Sequence, residues 1–193
     1  MKEITLKATK RTQAGKSYAK NIRKKGLIPS IIYGTAEPIM VEIEEKQLQP
    51  IIYTNKSYFI NIDVEGKTYK CIKQDAQFHA VSEQMLHIDF LAISEDKPVR
   101  LFLPIVLSGN SIGVQSGGHL YQLKRYLHTK ALPKYMPDEL VIDITNLDLG
   151  KTLQVKDLKF DNLELLDTPN DLVVMVQMTR AAVSQQQEEQ TKK

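Results

Sequence analysis

The chain has 193 residues, 42% hydrophobic and 25% charged, ordinary proportions for a folded soluble protein with room for one large domain or two small ones. No stretch reaches the roughly 20 apolar residues that span a bilayer, and the opening MKEITLKATK lacks a signal peptide's apolar core. The single Cys71 excludes an internal disulfide framework and fits a reducing cytoplasm.

The formal net charge is only +3, but it is unevenly spread. Residues 1–34 hold nine Lys/Arg against one acid, Glu3, a local charge of +8. Residues 35–94 hold five bases against nine acids, and residues 95–193 hold twelve against thirteen. One concentrated basic segment on a neutral-to-acidic body points to a localised polyanion contact; a solvated basic face without a partner is the plainer alternative.

In chain order, ITLKAT (4–9) alternates Ile4, Leu6 and Ala8 with polar residues and predicts a half-buried strand. A loop around Gly15 leads to a short helix that Gly26 stops. On that helix Lys16, Lys20, Arg23 and Lys24 fall at i, i+4, i+7 and i+8, one basic stripe, with Lys10 and Arg11 just upstream. Ala19 and Ile22 give it only a narrow apolar face, so the helix must pack on a sheet to persist. Strands follow at LIPSIIYG (27–34), IMVEIE (39–44), and YFINIDV (58–64), the last joined through a tight Glu65-Gly66 turn to KTYKCIK (67–73). Between them, EEKQLQPII (44–52) is a candidate short helix that Pro50 should end or distort. In QMLHIDFLAI (84–93) alternation places Leu86, Ile88 and Phe90 on one face and Met85, His87 and Asp89 on the other.

Short strands with one or two helices predict a mainly β protein whose N-terminal domain, residues 1–93, is small and β-barrel-like. Polar SEDKPVR (94–100), with Pro98, reads as a linker. A mostly β C-terminal domain follows over residues 101–179, and the glutamine-rich, charged 180–193 reads as a disordered tail.

Catalytic and metal signals are sparse. His79, His87 and Asp89 are the residue types of an acid–base or metal site, which keeps a metal-dependent hydrolase as a second hypothesis. Against it, Cys71 sits inside a strand pattern, no GxSxG elbow or HExxH motif occurs, and the chain has only four histidines. Gly113, Gly117 and Gly118 form no phosphate loop and read as turns or close chain approaches. No enzyme activity, cofactor, metal or small-molecule substrate is expected. The basic stripe is the stronger signal: its cations suit phosphates, while Tyr33, Gln74, His87 and Asp89 are polar groups on a β scaffold that can read base edges or shape. No RNP, KH or zinc-knuckle signature favours a general single-strand reader.

The segments RTQAGKSYAKNIRKKGLIPSIIYG (11–34), KCIKQDAQFHAVSEQMLHIDFLAI (70–93) and GVQSGGHLYQL (113–123) together resemble bacterial large-subunit ribosomal protein twenty-five, in its two-domain general stress protein CTC form. ALPKYMPDELVIDITNLDLGKTLQVKDL is similar to that family's second domain, and the resemblance spans residues 3–179. It implies a barrel-like domain that binds 5S rRNA at its loop E region, in the central protuberance of the large ribosomal subunit. It also implies a second domain resting on the ribosome against neighbouring ribosomal proteins. By resemblance, Lys16, Lys20 and Arg23 hold phosphates; Gln74, His87 and Asp89 meet bases and sugars; Tyr33 stacks or hydrogen-bonds. The sequence departs from the family pattern at Tyr18-Ala19, at Asn21 and at Ala80. A stress-regulated factor that visits the ribosome transiently is a third hypothesis, motivated by the two-domain form.

Overall fold

The computed structural model describes residues 2–179; the tail expected over 180–193 lies outside the described residues. Chain contacts divide it into two compact units: Met1–Val99 with Leu132–Asp138, and Arg100–Ala131 with the chain from Glu139 onward. The excursion Leu132–Asp138 is something no contiguous boundary in the sequence would express.

The first unit is a closed six-stranded barrel. Its elements are β1 (Lys2–Lys10), α1 (Lys16–Lys24), β2 (Leu27–Tyr33), β3 (Ile39–Glu44), α2 (Glu45–Ile52), β4 (Tyr58–Val64), β5 (Lys67–Phe78) and β6 (Met85–Ala92). Around the barrel the strands run β1-β3-β2-β6-β5-β4. Two parallel pairings, β1 with β4 and β2 with β6, close what would otherwise be a set of antiparallel hairpins. Alternation along each strand sends Leu6, Ile28, Ile32, Val41, Ile43, Ile60, Ile62, Cys71, Ile88 and Phe90 into one shared core.

The helices have different jobs. Helix α2 contributes Leu48 and Ile51 to the barrel core, both essentially fully buried. It continues through Pro50 to Ile52 and does not end there. Pro50 is exposed while Leu48 and Ile51 beside it are buried, so burial of about 1.5–3 kcal/mol per large aliphatic side chain outweighs one lost backbone hydrogen bond. Helix α1 packs beside β2 and buries only Ile22, while its lysines remain exposed. Gly26 ends it at φ +75°, with its N–H donating to the Arg23 carbonyl at 3.0 Å. The Glu65-Gly66 turn carries positive φ at both residues, 51° and 86°, the twist that a two-residue hairpin requires.

Two irregularities correct the simple alternation. The β5–β6 register shifts between Lys73 and Asp75, which leaves Gln74 as an extra residue, and again between Gln77 and Phe78, opposite Leu86. The second shift reverses the expected facing at the start of β6: Met85 is buried with Ile88 and Phe90, while Leu86 is only half-buried. Strand β5 also runs five residues beyond Lys73, to Phe78.

The second unit holds β7 (Val99–Ser108, all but its first residue), a short α3 (Ile112–Gln115), β8 (His119–Gln122), β9 (Tyr126–Ala131), β10 (Leu140–Asp143), β11 (Thr152–Gln154), β12 (Glu164–Leu165) and β13 (Leu172–Gln177). They form a four-stranded sheet, β10-β7-β9-β12, and a three-stranded sheet, β11-β13-β8. Leu103, Leu127, Leu140, Val173, Val174 and Val176 are buried within it. Gly113 marks a close chain approach, since a Cβ there would meet the Asp148 and Leu149 backbone at 2.6 Å. Lys124 Nζ bridges Asp167 and Asp171 at 2.7 and 2.6 Å, and Asp167 also accepts the His128 backbone N–H.

The barrel core yields two expected outcomes. Leu48→Ala should cost about 2–5 kcal/mol, read as a lower urea midpoint with little change in slope. Burial pushes the Cys71 thiol up to about 12, so a thiol reagent should leave the native protein unmodified at neutral pH and label it on unfolding.

Candidate nucleic-acid interface

Strand β6 is the centre of the candidate site because both its neighbours belong to the same barrel wall. Asp89 sits in register between Ile31 of β2 and Asp75 of β5, and His87 lies opposite Gln77 of β5. With Ile88 and Phe90 turned into the core, His87 and Asp89 share the outer face, as the spacing predicts. His87 Nδ1 and Asp89 Oδ1 approach to 3.1 Å without the alignment of a hydrogen bond. Asp89 Oδ1 is therefore a buried acceptor with no hydrogen-bond partner among the described residues. The polar contact it does make is with the His87 ring nitrogen, whose tautomer decides whether an N–H points toward it.

Burial is the main cause holding His87 below its ordinary value of 6.5. Asp89 opposes this shift, while the charges of Arg23 and Arg11 add to it. Those two arginines thus act electrostatically on the same imidazole that the barrel half-buries. A neutral imidazole offers one donor and one acceptor, suited to a base edge rather than to a phosphate.

Other predicted residues surround this pair. Gln74 is exposed at the β5 bulge, whose register shift is closed by Asp75 opposite Asp89. Tyr33, at the end of β2, is exposed and in register with Leu91 of β6. Lys10, Lys16, Lys20 and Lys24 are exposed on β1 and α1. No acid lies in the first turn of α1, and its N-cap Gly15 offers no side-chain acceptor. Arg23 differs from the lysines of its stripe: it is half-buried, and its Nε donates to the Leu86 carbonyl at 3.0 Å. It ties α1 to the β6 irregularity one residue before His87. Arg11 is also half-buried, its Nε donating to the Gln13 carbonyl at 2.5 Å.

His79 does not join the site. Its Nδ1 accepts the Ser82 backbone N–H at 3.2 Å and lies 3.0 Å from Ser82 Oγ, which commits the ring to the β5–β6 loop. Among the described residues no group of three or more His, Cys, Asp or Glu side chains could hold a metal ion. Sequence reasoning missed Lys73, half-buried beside the bulge, where burial lowers its pKa despite the opposing charge of Asp75. Its only signal was a lysine at a position whose alternation points toward the core. The Arg23–Leu86 bond was likewise invisible, because it depends on where the β6 alternation breaks.

Two family models match the chain: the Ribosomal L25p family over residues 6–90, and the C-terminal domain of ribosomal protein TL5 over residues 98–180. The large ribosomal subunit protein bL25 of Azobacteroides pseudotrichonymphae genomovar. CFP2 is 40% identical over 185 residues, covering 95% of this chain and 98% of that protein. The bL25 of Amoebophilus asiaticus is 39% identical over 181 residues, covering 94% and 92% respectively. That of Porphyromonas gingivalis is 40% identical over 184 residues, covering 94% and 96%.

The depressed basicity of His87 has a consequence for stability. The native state binds its proton less readily than the unfolded chain does. The stability His87 contributes is therefore present above the unfolded value of 6.5 and is lost as pH falls from there through the lower native value. NMR titration should place the His87 midpoint below 6.5, and His87→Gln should remove that part of the acid sensitivity.

Proposed function

Because the chain belongs to the bL25 family of large ribosomal subunit proteins, a family of structural components and not enzymes, we propose that it binds 5S rRNA at the loop E region within the central protuberance. In this reading it serves translation in the cytoplasm as part of the ribosome. Residues 1–93 act as the RNA-binding domain, 94–100 as a linker, and 101–179 as a domain resting on neighbouring ribosomal proteins.

The observation that carries the reading is the half-buried His87 in close contact with the Asp89 carboxylate, on a barrel wall bordered by the cationic α1. An A-form major groove is too deep and narrow for side chains, so recognition has to use the shallow minor groove or a helix widened by non-standard pairs. A rigid strand presenting an imidazole and a carboxylate can enter such a groove. There Asp89 takes a base amino or ribose hydroxyl donor, and His87 supplies a donor or an acceptor. Gln74 extends the polar row from the bulge, and Tyr33 offers a ring and a hydroxyl at its end. Lys10, Lys16, Lys20 and Lys24 meet phosphates as mobile point charges. Arg11 and Arg23, held by backbone carbonyls, present their remaining donors from fixed positions.

Electrophoretic mobility shifts with 5S rRNA and a loop E mutant, run at several salt concentrations, test this. Lys16→Ala with Lys20→Ala should weaken binding to both RNAs and reduce the slope of log K against log salt by roughly two. His87→Ala should instead cost about 1–3 kcal/mol on the native loop and little on the mutant loop. Equal loss on both RNAs from His87→Ala would remove the base-reading role, and absence of binding by the unaltered protein would remove the whole reading.

A further inference from the structure

Arg11 is held on several sides before any RNA is present. Its backbone N–H donates to the Met40 carbonyl at 2.9 Å, and its Nε donates to the Gln13 carbonyl at 2.5 Å. Its guanidinium carbon stands 5.3 Å from the centroid of the Tyr18 ring. Tyr18 belongs to α1 and is half-buried, and its hydroxyl donates to Glu42 Oε1 at 2.6 Å. Glu42 lies in β3, in register with Thr9 of β1 and Pro29 of β2, so it is part of the barrel wall. The phenol ring is therefore fixed at both ends, by the helix backbone on one side and by the barrel on the other.

A guanidinium held over an aromatic face by cation–π attraction still has N–H donors to offer a phosphate or a base edge. An arginine on a free stem would have to give up rotamer freedom when it bound; one already held over a ring gives up less. Met40, which accepts the Arg11 backbone N–H, is in register with Ile31 of β2 and through it with Asp89 of β6, so the Arg11–Tyr18 pair borders the outer face built by β6.

We propose that Tyr18 is a positioning residue for RNA binding, its ring holding the Arg11 guanidinium toward the face that carries His87 and Asp89 while Glu42 holds the ring. This rests on the RNA-binding reading above and names a residue that sets its affinity without being required to touch RNA.

The test is a double-substitution cycle on the full chain, measuring affinity for 5S rRNA, with thermal midpoints recorded for each variant. Tyr18→Ala should weaken binding about two- to fivefold, the range of a solvent-accessible cation–π contact. In an Arg11→Ala background the same substitution should change affinity by less than about 1.5-fold, because nothing is left to position. Tyr18→Phe keeps the ring but loses the Glu42 bond, so it should weaken binding less than Tyr18→Ala does. Full additivity with Arg11→Ala, no loss from Tyr18→Ala, or a loss from Tyr18→Phe as large as that from Tyr18→Ala each overturns the proposal. Failure of the unaltered protein to bind 5S rRNA overturns the RNA-binding reading itself and the proposal with it, a result distinct from the other three.

Discussion

Closure of the β1–β6 barrel is the constraint on which the candidate site depends. Six strands of alternating residues leave no free edge only if the first pairs with the fourth and the second with the sixth, both in parallel. Such pairings cannot be made by short hairpins. They are stabilised by the common interior into which Leu6, Ile32, Ile60, Ile62, Ile88 and Phe90 are packed. Once every strand has a neighbour on both sides, the outer face of β6 cannot twist or slip. His87 and Asp89 inherit that rigidity. A groove-reading pair needs it, because selectivity for one hydrogen-bond pattern is lost if the groups can wander by an ångström.

The barrel is regular except where the candidate site lies. Two register shifts in the β5–β6 pairing bracket His87 and Asp89, one at Gln74 and one opposite Leu86. Each has a use. The first lets Gln74 stand out from the ladder, and the second frees the Leu86 carbonyl to receive Arg23 from α1. The helix, too weakly apolar to fold alone, is thereby fastened to the strand whose face it borders. Tyr18 and Glu42 fasten it a second time, to β3. The basic segment is thus divided into exposed lysines and two half-buried arginines bonded to backbone carbonyls. Packing and electrostatics share the same contacts, since Arg23 both closes the helix on the barrel and lends its charge to His87.

The second unit shows a different balance. Its sheets are short, and polar networks such as Lys124 with Asp167 and Asp171 supplement its buried leucines and valines. It has no concentration of positive charge like that of residues 1–34, so it offers partners a surface of another chemistry.

Much of this was legible in the sequence. Period-two alternation specified β1 and the inward Ile88 and Phe90, because an aliphatic residue at every second position has only one way to be buried on a sheet. The i, i+4, i+7, i+8 spacing put the basic residues on one face of α1, because helical geometry is local. The same locality set the Glu65-Gly66 turn and the Gly26 stop, and His87 and Asp89 share a face for the same two-residue reason. What lies beyond the sequence depends on contacts between distant segments. Pro50 sits inside a helix because Leu48 and Ile51 are pulled into the barrel, an energy no local propensity contains. Met85 rather than Leu86 is buried because a bulge shifts the register, and Arg23 leaves the basic stripe for a carbonyl that this bulge exposes. The residues of the candidate site were written in local patterns; their division into exposed lysines, fixed arginines and a buried carboxylate oxygen was decided only when the barrel closed, because each depends on a neighbour supplied by another element.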